Sequence, residues 1–282
     1  MSAYFNYNGN MIKEGTPVIS ADNRAFRYGD GLFETMKVVN GRIMLRAFHF
    51  DRLFSGLSVL GLELSDAFDR DFLEQEIIKT CGVNHISAPA RVRLTVFGGD
   101  GGWREMPRMT AGFIIQAAAL PSAYLDFNEN GLKTGIYRLG AKSADGLANL
   151  KSNNYLLYGL AANHAARRQL DDCLVLNASG RVCEATIANV FWIKEQIIYT
   201  TPLSEGCVAG VMRRNLLQEF AAAGYAAQEK IIAPEQLLEA DELFFTNALY
   251  GMRWVGALDD KRYDNRQIVR LYDRFIRGMD GE

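Results

Sequence analysis

A lysine among uncharged neighbours is the first place in this sequence to look for chemistry. Lys151 stands in LANLKSNNYLL, a segment with few charges. In an apolar setting an ammonium loses solvation, so the amine is more easily neutral and nucleophilic. A solvated lysine at a helix start would show the same letters. Glu184, in GRVCEATIANVFW, precedes an apolar strand. A carboxylate there is either a surface turn residue or a buried partner for a cation. Arg52, in HFDRLFSGL, is one charge on an otherwise amphipathic helix. It is either part of a solvated face or a bidentate grip on phosphate. In EGCVAGVMRRNLL, Gly206 and Gly210 come just before a helical pattern. Backbone N–H groups at a helix start bind anions, although a plain glycine turn gives the same spacing. Thr246 and Asn247 close the strand-like FFTNALYG, where their hydroxyl and amide could reach a phosphate or cap a turn.

Other chemistries find little support. No G-x-G-x-x-G follows a strand, and neither a G-x-x-x-x-G-K-[ST] phosphate loop nor a G-x-S-x-G elbow occurs. The loop GGDGGW lacks the lysine and the helix of a phosphate loop. Four cysteines (Cys81, Cys173, Cys183, Cys207) and three histidines (His49, His85, His164) are scattered. The cysteines read as free thiols in a reducing compartment, and neither the cysteines nor the histidines read as metal ligands. A net charge of -2 gives no footprint for nucleic acid or for an acidic membrane surface. The opening MSAYFNYNGN lacks the basic start and apolar run of a signal peptide, and no apolar stretch approaches the ~20 residues that span a bilayer. These features lead us to expect a cytoplasmic protein without nucleic-acid or membrane partners.

The elements that must position these residues follow from periodicity. AYFNYNGNMI and FETMKVVNGRIML each carry an Asn-Gly turn between apolar runs and predict hairpins. Phe48, Leu53, Leu57 and Leu60 recur at helical spacing, so residues 47–60 predict an amphipathic helix, and 69–81 another. RVRLTVF (91–97) and AGFIIQAAA (111–119) read as strands. The polar stretch 121–131 marks a boundary between an N-terminal α+β domain (1–120) and a C-terminal domain (132–282). The latter is expected to hold a strand near KTGIYR, a helix over about 153–168, and short strands at CLVLN, VFWI and IIYTT. A helix from about Gly210, a buried strand at DELFFTNA and an amphipathic C-terminal helix over NRQIVRLYDRFIRGM complete it. The irregular alternation fits a plain doubly wound sheet poorly.

Six blocks in order resemble one family. They are RAFRYGDGLFET (24–35), HFDRL (49–53), LKSNNYL (150–156), CEATIANVFW (183–192), TPLSEGCVAGVMR (201–213) and DELFFTNAL (241–249). They resemble the class IV (fold-type IV) pyridoxal-phosphate enzymes, which include branched-chain aminotransferases, D-amino-acid aminotransferases and aminodeoxychorismate lyases. The resemblance implies an α+β, two-domain fold: an N-terminal α/β sandwich and a C-terminal pseudo-barrel with helices, the latter carrying the cofactor lysine. It implies pyridoxal 5'-phosphate as cofactor and no metal. Lys151 would hold it as a Schiff base and shuttle a proton between substrate Cα and cofactor C4′. Glu184 would pair with the pyridine nitrogen. Tyr155 would hydrogen-bond the phenolic oxygen. Arg52, Thr246 and the backbone amides of Val211 and Met212 would hold the phosphate. Relatives often have a hydroxyl residue where Met212 stands, so only its N–H could serve.

For the substrate, Tyr28 and Phe33 match pocket-wall positions of the family. Arg93 matches an arginine near the substrate carboxylate of branched-chain enzymes, whereas Arg91 stands where those enzymes tend to have a tyrosine. The arginine that D-amino-acid enzymes carry slightly further along is replaced by Phe97, Gly98 and Gly99. Arg27 and Arg104 are further candidates for the cation that a desolvated carboxylate needs. The family prior favours an aminotransferase acting on an amino acid and a 2-oxo acid. The alternative is aminodeoxychorismate lyase, which uses the same lysine to eliminate pyruvate and leave 4-aminobenzoate. The resemblance also implies a homodimer.

Overall fold

Two Asn-Gly turns bracket the start of the chain. The structure, a computed structural model, describes residues 3–65, 67–102 and 111–279. Strands β1 (Tyr4–Tyr7) and β2 (Asn10–Lys13) pair around Asn8 and Gly9. Strands β3 (Gly31–Val39) and β4 (Arg42–Ile43) pair around Asn40 and Gly41. All four turn residues have positive φ, which makes these the tight turns that match strand twist.

The chain divides into two units, the first comprising residues 1–121 and 150–154. Its described residues hold a short helix α1 (Arg24–Tyr28), helices α2 (Arg46–Leu60) and α3 (Arg70–Val83), and strands β5 (Ala90–Gly98) and β6 (Ala111–Ala119). The strands form a six-stranded sheet in the order β2-β1-β6-β5-β3-β4, antiparallel throughout. Alternation decides the faces. Leu32, Met36 and Val38 of β3, Val92, Leu94 and Val96 of β5, and Phe113, Ile115 and Ala117 of β6 form one core with Phe50, Leu53, Leu57, Leu73 and Ile77 of the helices. Phe33, Thr35, Arg91, Arg93 and Thr95 alternate with these positions and belong to the opposite face. Asp69 caps α3 by accepting from the Phe72 amide.

Residues 150–154 belong to this first unit, although in sequence they fall within the stretch expected to form the second domain. The reason is local. Phe33 N donates to Lys151 O (2.9 Å), Asn153 N donates to Gly31 O (2.9 Å), and Ser152 bridges Leu32. The segment is therefore bonded along β3 as extended chain. A Cβ on Gly31 would meet Asn153 Nδ2 at 2.4 Å, so glycine is what lets the segment approach. The helix expected from 153 starts only at Leu156 for the same reason.

The second unit comprises residues 122–149 and 155–282. Its strands are β7 (Leu132–Lys142), β8 (Asp172–Asn177), β9 (Val182–Ala185), β10 (Asn189–Lys194), β11 (Ile197–Thr200), β12 (Ala227–Glu229), β13 (Glu242–Asn247), β14 (Gly251–Leu258) and β15 (Lys261–Arg262). Its helices are α4 (Leu156–Arg167), α5 (Val211–Ala222), α6 (Pro234–Leu237) and α7 (Arg266–Phe275). The sheet runs β12-β11-β10-β13-β14-β7-β8-β9, with β15 on β14. It is mixed: β11·β12, β14·β7 and β7·β8 are parallel and the other pairs antiparallel. Leu174, Val190, Trp192, Leu243, Phe245 and Val255 belong to its main core. A smaller cluster packs Tyr158, Ala161 and Ala165 of α4 on Tyr137, Cys173 and Val175.

Candidate active site

The candidate residues fall into two sets, one in each unit. In the first unit, the extended segment along β3 carries Lys151. Its Nζ lies 4.3 Å from the centre of the Phe33 ring. The Arg93 guanidinium carbon lies 3.7 Å from the centre of the same ring, and Arg93 Nε donates to Thr95 Oγ1 at 3.3 Å. An amine and a guanidinium thus share one aromatic ring, on the sheet face opposite the helices.

Arg52 belongs to the helix side. Its Nε donates to Glu34 Oε1 (2.8 Å) and its Nη2 to Glu34 Oε2 (2.5 Å), a bidentate pair. His49 Nδ1 lies 2.6 Å from Glu34 Oε2. Burial alone would raise the Glu34 carboxyl, but Arg52 and His49 outweigh it and hold the group down at about 2. Burial pushes His49 below its ordinary range despite Glu34, and the charges of Arg52 and Lys151 push the same way. A neutral ring whose Nδ1–H faces the carboxylate fits this setting. Neither Glu34 nor His49 stood out in the sequence. Glu34 looks like one charge in a strand, and His49 like one of three scattered histidines.

Tyr28 and Arg27 lie together on α1, with the Arg27 guanidinium 5.4 Å from the Tyr28 ring centre and Arg24 5.0 Å from it. Arg27 also bonds Asp22 at 3.1 Å between two exposed side chains. Arg24 is buried and pairs with Asp30 at 2.6 Å, so it is a structural cation of the loop. Arg104 lies outside the described residues.

The second unit carries the other set, centred on Glu184 in the fully buried strand β9. Its Oε1 accepts from Lys142 Nζ (2.7 Å) and from the Tyr158 hydroxyl (2.5 Å). The Val208 amide donates to both carboxylate oxygens, at 3.1 and 3.0 Å. Asn189 Nδ2 lies 3.4 Å from Oε2 and donates to Val208 O at 2.9 Å. Burial beside Glu184 drives the Tyr158 phenol far above its ordinary range, so it stays a donor. Lys142, Tyr158 and Asn189 were not legible as site residues, because each is an ordinary letter at the edge of an apolar run.

Tyr155 donates its hydroxyl to Thr186 O at 2.9 Å, and its ring centre lies 4.4 Å from that of Tyr158. Asn189 joins the carboxylate to the next feature. A Cβ on Gly210 would meet Asn189 Oδ1 at 1.8 Å, so glycine is required where Asn189 lies against the turn. Gly210 is the N-cap of α5, so the amides of Val211 and Met212 open that helix, where no intrahelical acceptor is due. Both side chains are buried. Thr246 is the cross-strand partner of Asn189, and its buried Oγ1 has no hydrogen-bond partner among the described residues.

The first unit's set offers an amine and a guanidinium on one aromatic ring, and the second unit's set offers a buried carboxylate held by a cation and donors suited to an anion. Residues 31–258 match the family described as amino-transferase class IV. An aminodeoxychorismate lyase from Vibrio harveyi is 30% identical over 240 residues, covering 84% of this chain and 86% of that protein. A D-alanine aminotransferase from Bacillus licheniformis is 26% identical over 254 residues, covering 90% and 87%. The solved branched-chain aminotransferase of Thermoproteus uzoniensis superposes with a TM-score of 0.88 at 21% identity, covering 100% of this chain and 96% of that one.

Proposed function

Because the chain belongs to the class IV aminotransferase family, we propose that it moves an amino group between an amino acid and a 2-oxo acid. The cofactor is pyridoxal phosphate. When bound, it supplies an electron sink for the carbanion formed at substrate Cα. The orphaned buried hydroxyl of Thr246 and the opening amides of α5 fit a phosphate, and Glu184 fits a ring nitrogen. The Glu184 carboxylate, oriented by Lys142, Tyr158 and the Val208 amide, would pair with the ring N–H. As the resemblance implies, Arg52 would hold the phosphate, as would Thr246 and the Val211 and Met212 amides. Tyr155, whose hydroxyl donates to Thr186 O, would hydrogen-bond the phenolic oxygen. Lys151 Nζ would hold the cofactor and, once the substrate amine has displaced it, take and return the proton at Cα.

One observation carries the reading: Lys151 and Arg93 stand against the same Phe33 ring. An α-amino acid presents its carboxylate one bond from the carbon that loses the proton. A guanidinium beside the proton-moving amine suits that substrate. Tyr28 lines the pocket. Arg27 and Arg104 are the other cations for the carboxylate. The second reading is aminodeoxychorismate lyase, and the 30% identity to the Vibrio enzyme favours it. Both reactions use the same lysine to move the proton.

Exposed Leu156 and Leu160, one turn apart on α4, support a homodimer that covers them, and sedimentation tests it. The four buried thiols, none in a disulfide, suit the cytoplasm.

The deciding experiment adds single amino donors (L- and D-alanine, L- and D-glutamate, L-leucine) to the loaded enzyme without any keto acid. Conversion of the cofactor to pyridoxamine phosphate by one donor establishes transamination and the donor's hand. No conversion, with pyruvate released from aminodeoxychorismate, transfers the function to the lyase.

A further inference from the structure

The core of the first unit contains a charge among apolar side chains. Glu34 lies between Leu32 and Met36 on β3, and all three are buried. The helix above it presents His49 and Arg52, three residues apart and therefore on one face. Phe50 and Leu53 beside them are core residues. A buried carboxylate is costly unless paired, and a buried ion pair is a poor stability device compared with hydrophobic packing. Glu34 is 1% exposed, whereas the Arg52 side chain is 13% exposed, so the pair runs from the core toward the surface. The carboxylate grips Arg52 through Nε and Nη2, which fixes both the plane and the direction of the guanidinium. His49 lies 2.6 Å from Oε2 and steadies the carboxylate from the other side.

We propose that Glu34 and His49 are positioning residues for the cofactor phosphate, acting through Arg52. The inference rests on the reading of Arg52 as a phosphate ligand. Arginine has long side-chain freedom, and a ligand held in one orientation loses less entropy on binding. Glu34 restrains the head of the side chain before any phosphate arrives. His49 Nδ1 lies against the same carboxylate and acts on Arg52 only through it, so losing it loosens Arg52 less than losing Glu34.

The test titrates the full-length chain, stripped of cofactor, with pyridoxal phosphate and with pyridoxal, which lacks the phosphate. Glu34→Gln is expected to weaken pyridoxal phosphate by about 10- to 100-fold, by analogy with the groups that orient metal-binding side chains. Pyridoxal affinity is expected to change little. His49→Gln shows the same selectivity with a smaller loss. In an Arg52→Ala background, Glu34→Gln is expected to add nothing, because its effect passes through Arg52. Equal losses for the two ligands, or a full additional loss in that background, would overturn the proposal. If Arg52→Ala leaves pyridoxal phosphate binding intact, the phosphate reading itself falls. If Arg52→Ala weakens it while Glu34→Gln and His49→Gln do not, only the positioning role falls. Should Glu34→Gln fail to fold, Glu34→Asp keeps the charge but withdraws it by one methylene, and the same comparison of the two ligands decides.

Discussion

Replacing Thr246 with Val should make the empty enzyme more stable and the loaded enzyme weaker. The two side chains have nearly the same shape. Thr246 Oγ1 is buried with no partner among the described residues, and the residue is 1% exposed. A buried hydroxyl left unpaired costs about 1–3 kcal/mol, and an apolar replacement of the same shape removes that cost. The apoenzyme should therefore gain about 1–3 kcal/mol. At roughly 2–4 °C per kcal/mol for a domain of this size, calorimetry resolves such a change. The cofactor phosphate, by contrast, loses one hydrogen bond to a charged acceptor, worth about 1.5–3 kcal/mol. At about 1.4 kcal/mol per tenfold, affinity should fall about 10- to 100-fold. Calorimetry of the apoenzyme and titration with pyridoxal phosphate measure the two effects separately. An apoenzyme destabilised by Thr246→Val, with pyridoxal phosphate affinity unchanged, would refute the assignment. It would mean that the hydroxyl serves the fold and not the phosphate.

Lys142→Met should cost about 3–5 kcal/mol of stability, since it leaves the Glu184 carboxylate buried without its cation. Denaturant unfolding of the apoenzyme measures it, and a loss below about 1 kcal/mol would count against the pairing. Arg93→Ala should raise KM for the amino donor about 10- to 100-fold with a smaller change in kcat, as expected when a charge-assisted bond to the ground-state carboxylate is lost. A change confined to kcat would exclude a carboxylate anchor. The Glu34 carboxyl is lowered in the fold from 4.5 to about 2, so it contributes stability that is fully present above pH 4.5 and lost as pH falls toward 2. Acid titrations should show Glu34→Gln flattening that limb, and an unchanged limb would contradict the ion pair.

The legible and illegible parts of this chain divide along a physical line. Periodicity read α2, α3, β5 and β6 nearly to the residue, because each buries one regular face against a single core. The hairpins were legible because Asn-Gly fixes the turn locally. Strand β14 was not, since its GMRWVGAL buries residues on both faces and so lacks alternation. The attachment of residues 150–154 to β3 was hidden as well, because it depends on an absent Cβ at Gly31, more than a hundred residues earlier. Of the site, the resemblance pointed to Lys151, Glu184, Arg52 and Thr246. The groups gripping them stayed hidden, since a partner is set by three-dimensional contact and not by spacing.

Those hidden partners share one property that sequence patterns do carry, as a fault. Glu34 interrupts the core-facing series Leu32, Met36, Val38. Lys142 is a buried cation at the end of β7. Asn189 is a buried amide at the start of the apolar strand β10. Each breaks the local rule for its position, and each is bonded to a group read here as cofactor-binding: Glu34 to Arg52, Lys142 and Asn189 to Glu184. A polar residue at a core position has to be compensated, and here the compensation lies in the group it holds. On this argument the polar fault in an otherwise regular strand is itself a site signal. Glu34 shows the fault most plainly, because alternation along β3 places it on the core face and denies it the opposite face of the sheet.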